Sequence, residues 1–502
     1  MNTNTLLKPD CKTARFAIWT FCIFIILCSV RTNSIWTDEA QTYSVIRTSF
    51  LQMRETVIGR GNAVSGMPLY FFCEFLWCKL FGYSEYALRS MNFVSAILFL
   101  VGAYKLIQAT RLPLWSLAIF VTNPVFLYYM NEARPYAAIL TCGLWCLYYL
   151  HQHLSKGDSS SLLKFLMCFW IGCALHLMFV FMGVVYALTA LWLLHQKKLQ
   201  LRQHLIAWGI FALPFLLLAY HYLRFAFNAP EINAQAKPIA SIIQIGYYFA
   251  GLGGLGWSRN ALRSMNLEFS VRILIGLSIV ILAYCFVLFH FIRQKLFRDS
   301  TIAFTGVGMA VSMILFIVAN VVMKTRFWER HIAYLIPGML LILSMVCYDI
   351  LKNSRSSLMK TMAVLLLLMQ ALSGIGVTFL KYYQKDDHKG ALAIARSFSP
   401  KHILYEGDEA TFRYYGAEGR WAEDCVNDNE IEGNINISTA PANVLCEVLQ
   451  KTHGLTVLIL NEKHDCDRQK LYRRFADDGI HTNSFSVLVA DKQLILNYIR
   501  KR

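Results

Sequence analysis

The feature that most constrains this chain is a series of apolar stretches, each close to the length needed to cross a membrane. A spanning helix requires about 20 predominantly apolar residues. Only 16% of all residues are charged, whereas soluble domains have roughly 25%. Eleven stretches qualify, at residues 15–31, 86–108, 112–130, 135–151, 161–178, 180–196, 203–223, 270–291, 301–322, 332–350 and 360–380. The sequence therefore predicts an all-α polytopic membrane protein with about eleven transmembrane helices.

The composition changes abruptly at Lys381. Residues 1–380 contain 31 basic and 13 acidic side chains, whereas residues 381–502 contain 17 and 18. Apolar runs in the tail alternate with helical patterns, which indicates a small α/β domain. The runs cover 402–405, 455–460, 485–489 and 493–498, and the helical patterns cover 389–397, 441–451 and 466–476. We expect a transmembrane domain over 1–380 and a soluble domain over 381–502, in which three cysteines allow at most one disulfide.

The distribution of positive charge predicts the orientation of the chain. With the N-terminus in the cytoplasm, the inner loops contain 16 basic and four acidic residues, as the positive-inside rule requires. This count holds only if the apolar stretch 67–83 does not cross. It contains Glu74 and Lys79, which are costly inside a bilayer, so we predict an interfacial helix there. Two long loops, 32–85 and 226–269, and the C-terminal domain then lie outside. Because the basic residues lie between apolar stretches, we expect membrane lipids and no nucleic acid as partners.

Asp38 and Glu39 follow the first span directly, on the predicted outer side. Adjacent carboxylates beside a membrane can supply a general base, and they are also candidate ligands for a divalent cation such as Mg or Mn. The structural alternative is a solvated helix cap after Thr37. A metal at this position would be the only cofactor that the sequence implies.

Two cationic motifs also fall on the predicted outer side. Arg134, close to Glu132 in the short connection between the third and fourth stretches, can hold a phosphate in a bidentate manner. The alternative is a structural Glu132–Arg134 pair. Arg326, Arg330 and His331 precede the tenth stretch with interleaved aromatic residues, a composition that suits an anionic headgroup. The alternative there is an interfacial anchor belt.

Taken together, these motifs resemble those of the GT-C superfamily of membrane glycosyltransferases. More narrowly, they are similar to bacterial relatives of protein O-mannosyltransferases and to the aminoarabinose and galacturonosyl transferases of lipid A, which are glycosyltransferase families 39 and 83. Trp36-Thr37-Asp38-Glu39-Ala40 resembles the Asp-Glu motif of the first outer loop. The other matching stretches are Met67-Pro68-Leu69-Tyr70, Glu85-Tyr86-Ala87-Leu88-Arg89, Tyr128-Tyr129-Met130-Asn131-Glu132-Ala133-Arg134-Pro135-Tyr136 and Arg330-His331 with Ile336-Pro337. The likeness covers roughly residues 15–380.

The resemblance implies a GT-C fold and transfer of a sugar from a polyprenyl-phosphate-linked donor, with inversion at the anomeric carbon. Asp38 would deprotonate the acceptor hydroxyl, and Glu39 would support it or help to hold a divalent metal. The acceptor would be a glycolipid, a glycan or a protein. The location would be the bacterial inner (plasma) membrane, with the C-terminal domain periplasmic or extracellular. Candidate donor-phosphate and substrate-binding residues are Arg134, Glu132, Tyr136, Tyr70, Arg89, Arg326, Arg330 and His331.

Two other functions are compatible with a polytopic chain of this kind. An O-antigen polymerase or ligase also has large outer loops, but such enzymes typically lack an Asp-Glu pair directly after the first span. A lipid-linked-sugar transporter or flippase usually places polar residues at the bilayer midplane and often contains internal repeats. Here the charged motifs are predicted on one face, and no repeat is visible.

Overall fold

The computed structural model describes most of the apolar part of the chain and portions of the tail. These residues are 12–59, 63–197, 199–228, 238–257, 267–294, 300–322, 327–380, 383, 386–405, 409–417, 419–421, 433–436, 456–461, 480–481 and 485–490. The chain forms two compact units. The helical unit comprises Met1–Arg31, Thr48–Gly82 and Tyr86–Tyr383, and the second unit comprises Thr32–Arg47, Tyr83–Glu85 and Gln384–Arg502. Asp38 and Glu39 therefore belong to the same unit as the C-terminal residues.

Apolar helices dominate the described chain up to residue 380. In chain order, the helices are α1 (Lys12–Ser29), α2 (Thr37–Ile46), α3 (Phe50–Arg54), α4 (Pro68–Phe81), α5 (Glu85–Ser90), α6 (Asn92–Ala109), α7 (Trp115–Val121), α8 (Pro124–Met130), α9 (Tyr136–Lys156), α10 (Ser159–Leu175), α11 (Met182–His195), α12 (Leu201–Asn228), α13 (Pro238–Phe249), α14 (Leu267–Arg293), α15 (Ser300–Val322), α16 (Ile336–Asn353) and α17 (Ser357–Phe379). Single turns of tighter or wider helix cover Glu55–Gly59, Ala63–Gly66, Leu177–Phe181 and Glu329–Leu335.

Seven of the helical segments within the described residues are long and apolar enough to cross a membrane. They are Lys12–Ser29, Glu85–Ala109, Leu177–His195, Leu201–Arg224, Thr305–Val322, Glu329–Asn353 and Ser357–Phe379. Ser159–Leu175 and Val280–Arg293 are apolar but shorter. The prediction of a multi-pass membrane protein is confirmed.

The predicted single span over 112–130 is wrong in one respect, because two short helices, α7 and α8, replace it. The break lies at Asn123, whose Oδ1 accepts hydrogen bonds from the amides of Val125 and Phe126, both at 3.1 Å. Pro124 then occupies the first helical position, where its missing N–H costs nothing. An N-cap side chain followed by proline starts a new helix, and this local preference overrides the apolar run.

The helix predicted over 67–83 is present, and its position at the membrane surface stays a prediction. The helix within 67–83 has 14 residues, which is about 21 Å of helix and too short to cross a hydrocarbon core of about 30 Å. The helix predicted over 161–178 ends at Leu175, and His176 takes an extended conformation with φ −160° and ψ 125°. The chain turns there because Phe179 packs directly against Gly172, where an added Cβ would lie 2.4 Å from the Phe179 ring.

Helix α9 is the centre of the helical unit. It packs against α6, α10, α16 and the turn Glu329–Leu335. Close approach to that turn requires Gly143, since a Cβ there would lie 2.3 Å from the Tyr334 carbonyl oxygen. The N-terminal end of α9 carries Tyr136, and the turn that it packs against carries Glu329, Arg330 and His331. The packing of α9 thus brings two of the sequence motifs together.

The C-terminal part of the second unit is an α/β fold, as predicted. Helices α18 (His388–Ser397) and α19 (Glu409–Tyr414) accompany six strands in the order β2-β3-β1-β4-β6-β5. The strands are β1 (His402–Tyr405), β2 (Gly419–Trp421), β3 (Gly433–Asn436), β4 (Thr456–Asn461), β5 (Ile480–His481) and β6 (Phe485–Ala490). The pairs β2–β3, β3–β1 and β1–β4 are parallel, and β6 is antiparallel to β4 and β5.

The predicted strands at 402–405, 455–460 and 485–489 and the predicted helix at 389–397 are confirmed. The predicted elements 441–451, 466–476 and 493–498 and the three tail cysteines lie outside the described residues. The core of this unit contains Phe412 of α19, Tyr405 of β1 and Phe485 of β6, with Leu392 of α18. It anchors α19 firmly to the sheet.

Candidate active site

The two acidic residues begin helix α2 in the second unit. Trp36 precedes the helix in an extended conformation, and its carbonyl accepts the first helical hydrogen bond from the Ala40 amide at 2.9 Å. Glu39 Oε2 accepts a hydrogen bond from the Trp36 amide at 3.3 Å. Glu39 is fully buried, whereas Asp38 is half-buried. The carboxylates therefore differ: Glu39 caps its own helix, and Asp38 retains access to solvent.

A second polar cluster lies in the helical unit, around the connection between α8 and α9. Asn92 holds this connection in place, because its Nδ2 donates to the carbonyl oxygens of Tyr129 at 3.3 Å, Met130 at 3.2 Å and Glu132 at 2.8 Å. The Arg134 amide donates to the Glu132 carbonyl at 2.7 Å. Glu132 and Arg134 are both buried, so the motif that reads as a surface hairpin is part of the packed interior.

Four rings form a continuous aromatic row beside this connection. The ring centroids are 4.8 Å apart for Tyr129 and Tyr136, 5.7 Å for Tyr136 and His176, and 5.8 Å for His176 and His331. The Arg330 guanidinium lies over the Tyr136 ring, 5.4 Å from its centroid. Such stacking holds a guanidinium while leaving its N–H groups able to bind an anion in the ring plane.

A buried carboxylate closes the same cluster. Glu329 accepts one hydrogen bond at Oε1 from the Tyr129 hydroxyl and another at Oε2 from Gln244 Nε2, both at 2.8 Å. Glu329 and Gln244 are almost completely buried. Because Arg330 is the next residue in the same turn, these two bonds also fix the backbone from which its guanidinium extends.

The pKa of His176 reflects the burial and the positive charge of the cluster. Burial, together with the nearby positive charges of Arg330 and Arg134, lowers the pKa of His176 from 6.5 to about 3. Its Nδ1 accepts a hydrogen bond from the Met178 amide at 3.2 Å, which assigns the proton of the neutral ring to Nε2. His176 is thus a neutral N–H donor at physiological pH, and two guanidinium groups act on it. A donor set of this kind suits a phosphate.

The sequence candidates fall into four groups. Arg134, Glu132, Tyr136, Arg330 and His331 lie in or beside the cluster of the helical unit. Tyr70 and Arg89 are buried in the same unit; Tyr70 packs edge-on against Phe71, and Arg89 Nη1 donates to the Arg31 carbonyl at 2.8 Å. Asp38 and Glu39 belong to the second unit. Arg326 lies outside the described residues.

Sequence reasoning missed Tyr129, Gln244, Glu329, Asn92 and His176 as members of the cluster. Glu329 and Tyr129 each stand inside a motif that the sequence had singled out, so their polarity within apolar surroundings was an available signal. Gln244 and Asn92 carried none, because an isolated amide in an apolar helix has many structural uses. Their roles depend on contacts between residues 85 and 37 positions apart.

A divalent cation has limited support from the described side chains. Among them, no group of three or more His, Cys, Asp and Glu residues is placed to hold a metal ion. Glu39 is buried and engaged in its cap, which leaves Asp38 as the more accessible carboxylate. A metal at Asp38 and Glu39 stays a prediction, and no step below depends on it.

Comparisons with known proteins bear on the fold. No protein-family model and no curated protein matches the sequence. The crystal structure of ArnT from Cupriavidus metallidurans in the apo state superimposes with a TM-score of 0.52 at 10% identity, over 95% of this chain and 98% of that chain. The crystal structure of the same protein bound to undecaprenyl phosphate matches with a TM-score of 0.38 at 12% identity, over the same shares. The first superposition, with the apolar helices, shows that this chain shares a polytopic helical fold with that protein.

Proposed function

We propose that this protein transfers a sugar from a polyprenyl-phosphate-linked donor to the hydroxyl group of a lipid, glycan or protein on the extracytoplasmic side of the membrane. The observation that carries the proposal is the cluster of Arg134, Arg330 and neutral His176 in the helical unit of a GT-C fold. A buried set of cationic and N–H donors beside an aromatic row suits the negative charge of a lipid phosphate.

The proposed reaction is a single displacement with inversion. Asp38 accepts the proton of the acceptor hydroxyl, and the acceptor oxygen attacks the anomeric carbon of the donor. The bond between that carbon and the phosphate oxygen breaks, and the polyprenyl phosphate leaves with the electron pair. Arg134 and Arg330 offset the negative charge that develops on the leaving phosphate. Preorganised charges of this kind contribute several kcal/mol to the transition state.

Two features support the assignment of Asp38 rather than Glu39 as the base. Asp38 is the more accessible of the two carboxylates, and Glu39 already accepts the Trp36 amide. Glu39 instead supports Asp38 by holding the first helical turn.

The decisive test measures transfer from tritiated polyprenyl-phosphate sugars, with a hexosyl and an aminopentosyl donor, in proteoliposomes. The wild-type protein should convert labelled donor to labelled product and release polyprenyl phosphate. Asp38→Asn should reduce the rate by about 100- to 10,000-fold, which is the typical contribution of a general base, while expression and thermal unfolding stay unchanged. A fully active Asp38→Asn protein would rule out the base assignment.

The same assay separates the transferase from a transporter, which would move the labelled donor across the bilayer unchanged. Arg330→Met, with Arg330→Lys as its matched control, should weaken binding of undecaprenyl phosphate, measured by the thermal shift it causes. The lysine keeps one charge and loses the bidentate fork, so an intermediate effect is expected. Addition of EDTA to the transfer assay tests the predicted divalent cation: a loss of rate that Mg²⁺ or Mn²⁺ restores would support a metal at Asp38 and Glu39, and an unchanged rate would rule it out.

A further inference from the structure

The segment that carries Asp38 is attached to the C-terminal part of its own unit by hydrogen bonds. The Ile35 amide donates to the Tyr415 hydroxyl at 2.8 Å, and the Lys389 amide donates to Ser34 Oγ at 3.2 Å. Ile35 and Ser34 are both buried. These contacts hold the two residues directly before Trp36, the residue from which α2 starts.

Aromatic contacts hold the body of the same helix. The Tyr43 ring lies edge-on to Tyr414, with centroids 4.7 Å apart, and edge-on to Tyr83 at 6.1 Å. The Tyr414 hydroxyl donates to the Tyr83 carbonyl at 2.9 Å. Lys389 Nζ forms an ion pair at 2.7 Å with Oε1 of Glu85, which is two residues after Tyr83. Three parts of the chain, distant in sequence, therefore meet around one face of α2.

The two tyrosines that make these contacts are attached to the packed core of the C-terminal part. They follow Phe412, whose ring packs 4.1 Å from that of Tyr405 and 5.4 Å from that of His388. The amides of Tyr415 and Ala417 both donate to the Phe412 carbonyl, at 3.1 and 2.9 Å. Gly416 takes a positive φ of 73°, so the chain reverses immediately after the two tyrosines. The C-terminal core thus fixes where both hydroxyl groups lie.

We propose that Tyr414 and Tyr415 are positioning residues, through which the C-terminal domain sets the location of the Asp38 carboxylate. The inference rests on the proposed function, in which Asp38 is the base. Tyr415 fixes Ile35, the adjoining Trp36 supplies both the first carbonyl of α2 and the amide that binds Glu39, and Asp38 lies between them. A general base must be within hydrogen-bonding distance of its proton, so a shift of about 1 Å in this turn lowers the rate by up to about 100-fold.

The test uses the full-length protein with Tyr415→Phe and the double variant Tyr414→Phe/Tyr415→Phe. Each substitution removes only a hydroxyl group. We expect kcat to fall by about 10- to 100-fold with the tritiated donor. The KM for that donor and the Kd for undecaprenyl phosphate should change by less than about twofold, because those values depend on the helical unit. Glu409→Gln is the matched control, since it removes an ion pair with Arg413 on the same helix and should leave kcat unchanged.

Hydrogen–deuterium exchange adds a readout that does not require turnover. The amides of residues 35–40 should exchange faster in both tyrosine variants, while those of strands β1 and β4 keep their wild-type protection. Wild-type kcat in the double variant would overturn the proposal, as would loss of protection throughout the C-terminal domain, which would indicate a merely structural role. If the wild-type protein consumes no lipid-linked sugar, the proposed function fails, but the exchange data still decide whether the tyrosines fix α2.

Discussion

The Tyr129 hydroxyl donates a hydrogen bond to Glu329 Oε1 at 2.8 Å, although the two residues are 200 positions apart. Tyr129 lies in the last turn of the short helix α8, and Glu329 begins the turn that leads into α16. The bond therefore joins the two sequence motifs that contribute Arg134 and Arg330. Both partners are buried, so the contact fixes the spacing of the cations in a region of low dielectric.

Replacing Glu329 by glutamine should destabilise the protein by about 1–3 kcal/mol. The carboxylate accepts hydrogen bonds from both Tyr129 and Gln244, and an amide would present N–H groups to one of these donors. Tyr129→Phe removes one donor and should cost about 1 kcal/mol. Thermal unfolding in detergent of both single variants and the double variant measures the coupling. Strictly additive effects would show that the bond contributes nothing of its own.

The stability of the helical unit should fall as the pH drops below 6.5. Burial and the two arginines lower the pKa of His176 to about 3, whereas the unfolded chain keeps the ordinary value of 6.5. Between these values the unfolded state binds a proton that the folded state does not, so unfolding becomes easier. The contribution of His176 from pH 7 to pH 5 is about 2 kcal/mol.

Thermal unfolding of the wild-type protein and of His176→Gln between pH 8 and pH 5 measures this effect. The curve of the variant should be flatter, since glutamine does not titrate. A further variant, Arg330→Met, should be less sensitive to acid than the wild type, because one of the charges that depress the pKa is gone. Parallel curves for the wild type and His176→Gln would contradict the assigned environment of His176.

Gly143→Ala should damage the site from a distance. The new methyl group would lie 2.3 Å from the Tyr334 carbonyl oxygen, a backbone atom of the turn that carries Glu329 and Arg330. Overpacking of this kind costs about 1–3 kcal/mol and should move the turn. Gly209→Ala is the matched control, because an added Cβ there meets nothing within 4 Å. Gly143→Ala should unfold at a lower temperature and bind undecaprenyl phosphate more weakly than Gly209→Ala. Equal values for the two variants would contradict the close contact between Gly143 and Tyr334.

Asn92→Asp should be more harmful than Asn92→Ala. The amide of Asn92 donates to three carbonyl oxygens, and a carboxylate would place negative charge against all of them. Alanine removes the donors without adding repulsion. We expect the affinity for undecaprenyl phosphate to fall from the wild type to the alanine variant and again to the aspartate variant. The aspartate variant should bind at least about tenfold more weakly than the wild type, because its carboxylate repels the carbonyl oxygens to which Asn92 donates. The reverse order would show that Asn92 does not hold the connection before Arg134.

Cysteine labelling of intact cells tests the predicted sidedness. Gln41, one turn from Asp38, and Arg355, which precedes α17, are both exposed. A membrane-impermeant maleimide should label Gln41→Cys in intact cells and should label Arg355→Cys only after the membrane is opened. The unsubstituted protein controls for its 14 native cysteines. Labelling of the second variant alone in intact cells would invert the topology and end the proposal of extracytoplasmic transfer.

The membrane-spanning helices were predictable because each apolar segment of sufficient length is stable in a bilayer by itself. Apolar length alone locates helices such as Leu201–Arg224 and Ser357–Phe379. Apolar length does not predict where a helix breaks, because breaks depend on local residues. Asn123 and Pro124 divide one predicted span, and Gly172 allows the turn at His176. In the tail, strands β2 and β3 escaped prediction because Gly419–Trp421 and Gly433–Asn436 contain few apolar residues and depend on pairing with β1.

The candidate site was only partly accessible to sequence reasoning. Charged residues among apolar ones can be recognised as candidates from the sequence, and Asp38, Arg134 and Arg330 were found in this way. Their neighbours do not, because the contacts of Glu329 with Tyr129 and Gln244 arise from tertiary packing. A helix cap was already the structural alternative for the acidic pair, but only the burial of Glu39 and its bond to the Trp36 amide show that Glu39 fills this role.

The bond between Ile35 and Tyr415 spans 380 positions, and this has a consequence for how the protein is made. The ribosome produces the Asp38 helix soon after the first transmembrane segment, but it produces the tyrosines that hold this helix only after the final one. While the chain inserts into the bilayer, the helix that carries Asp38 is already present, but the tyrosines that contact it have not yet been synthesised. Activity should accordingly emerge as the last event of biogenesis, and chains released early should be inserted, stable and inert.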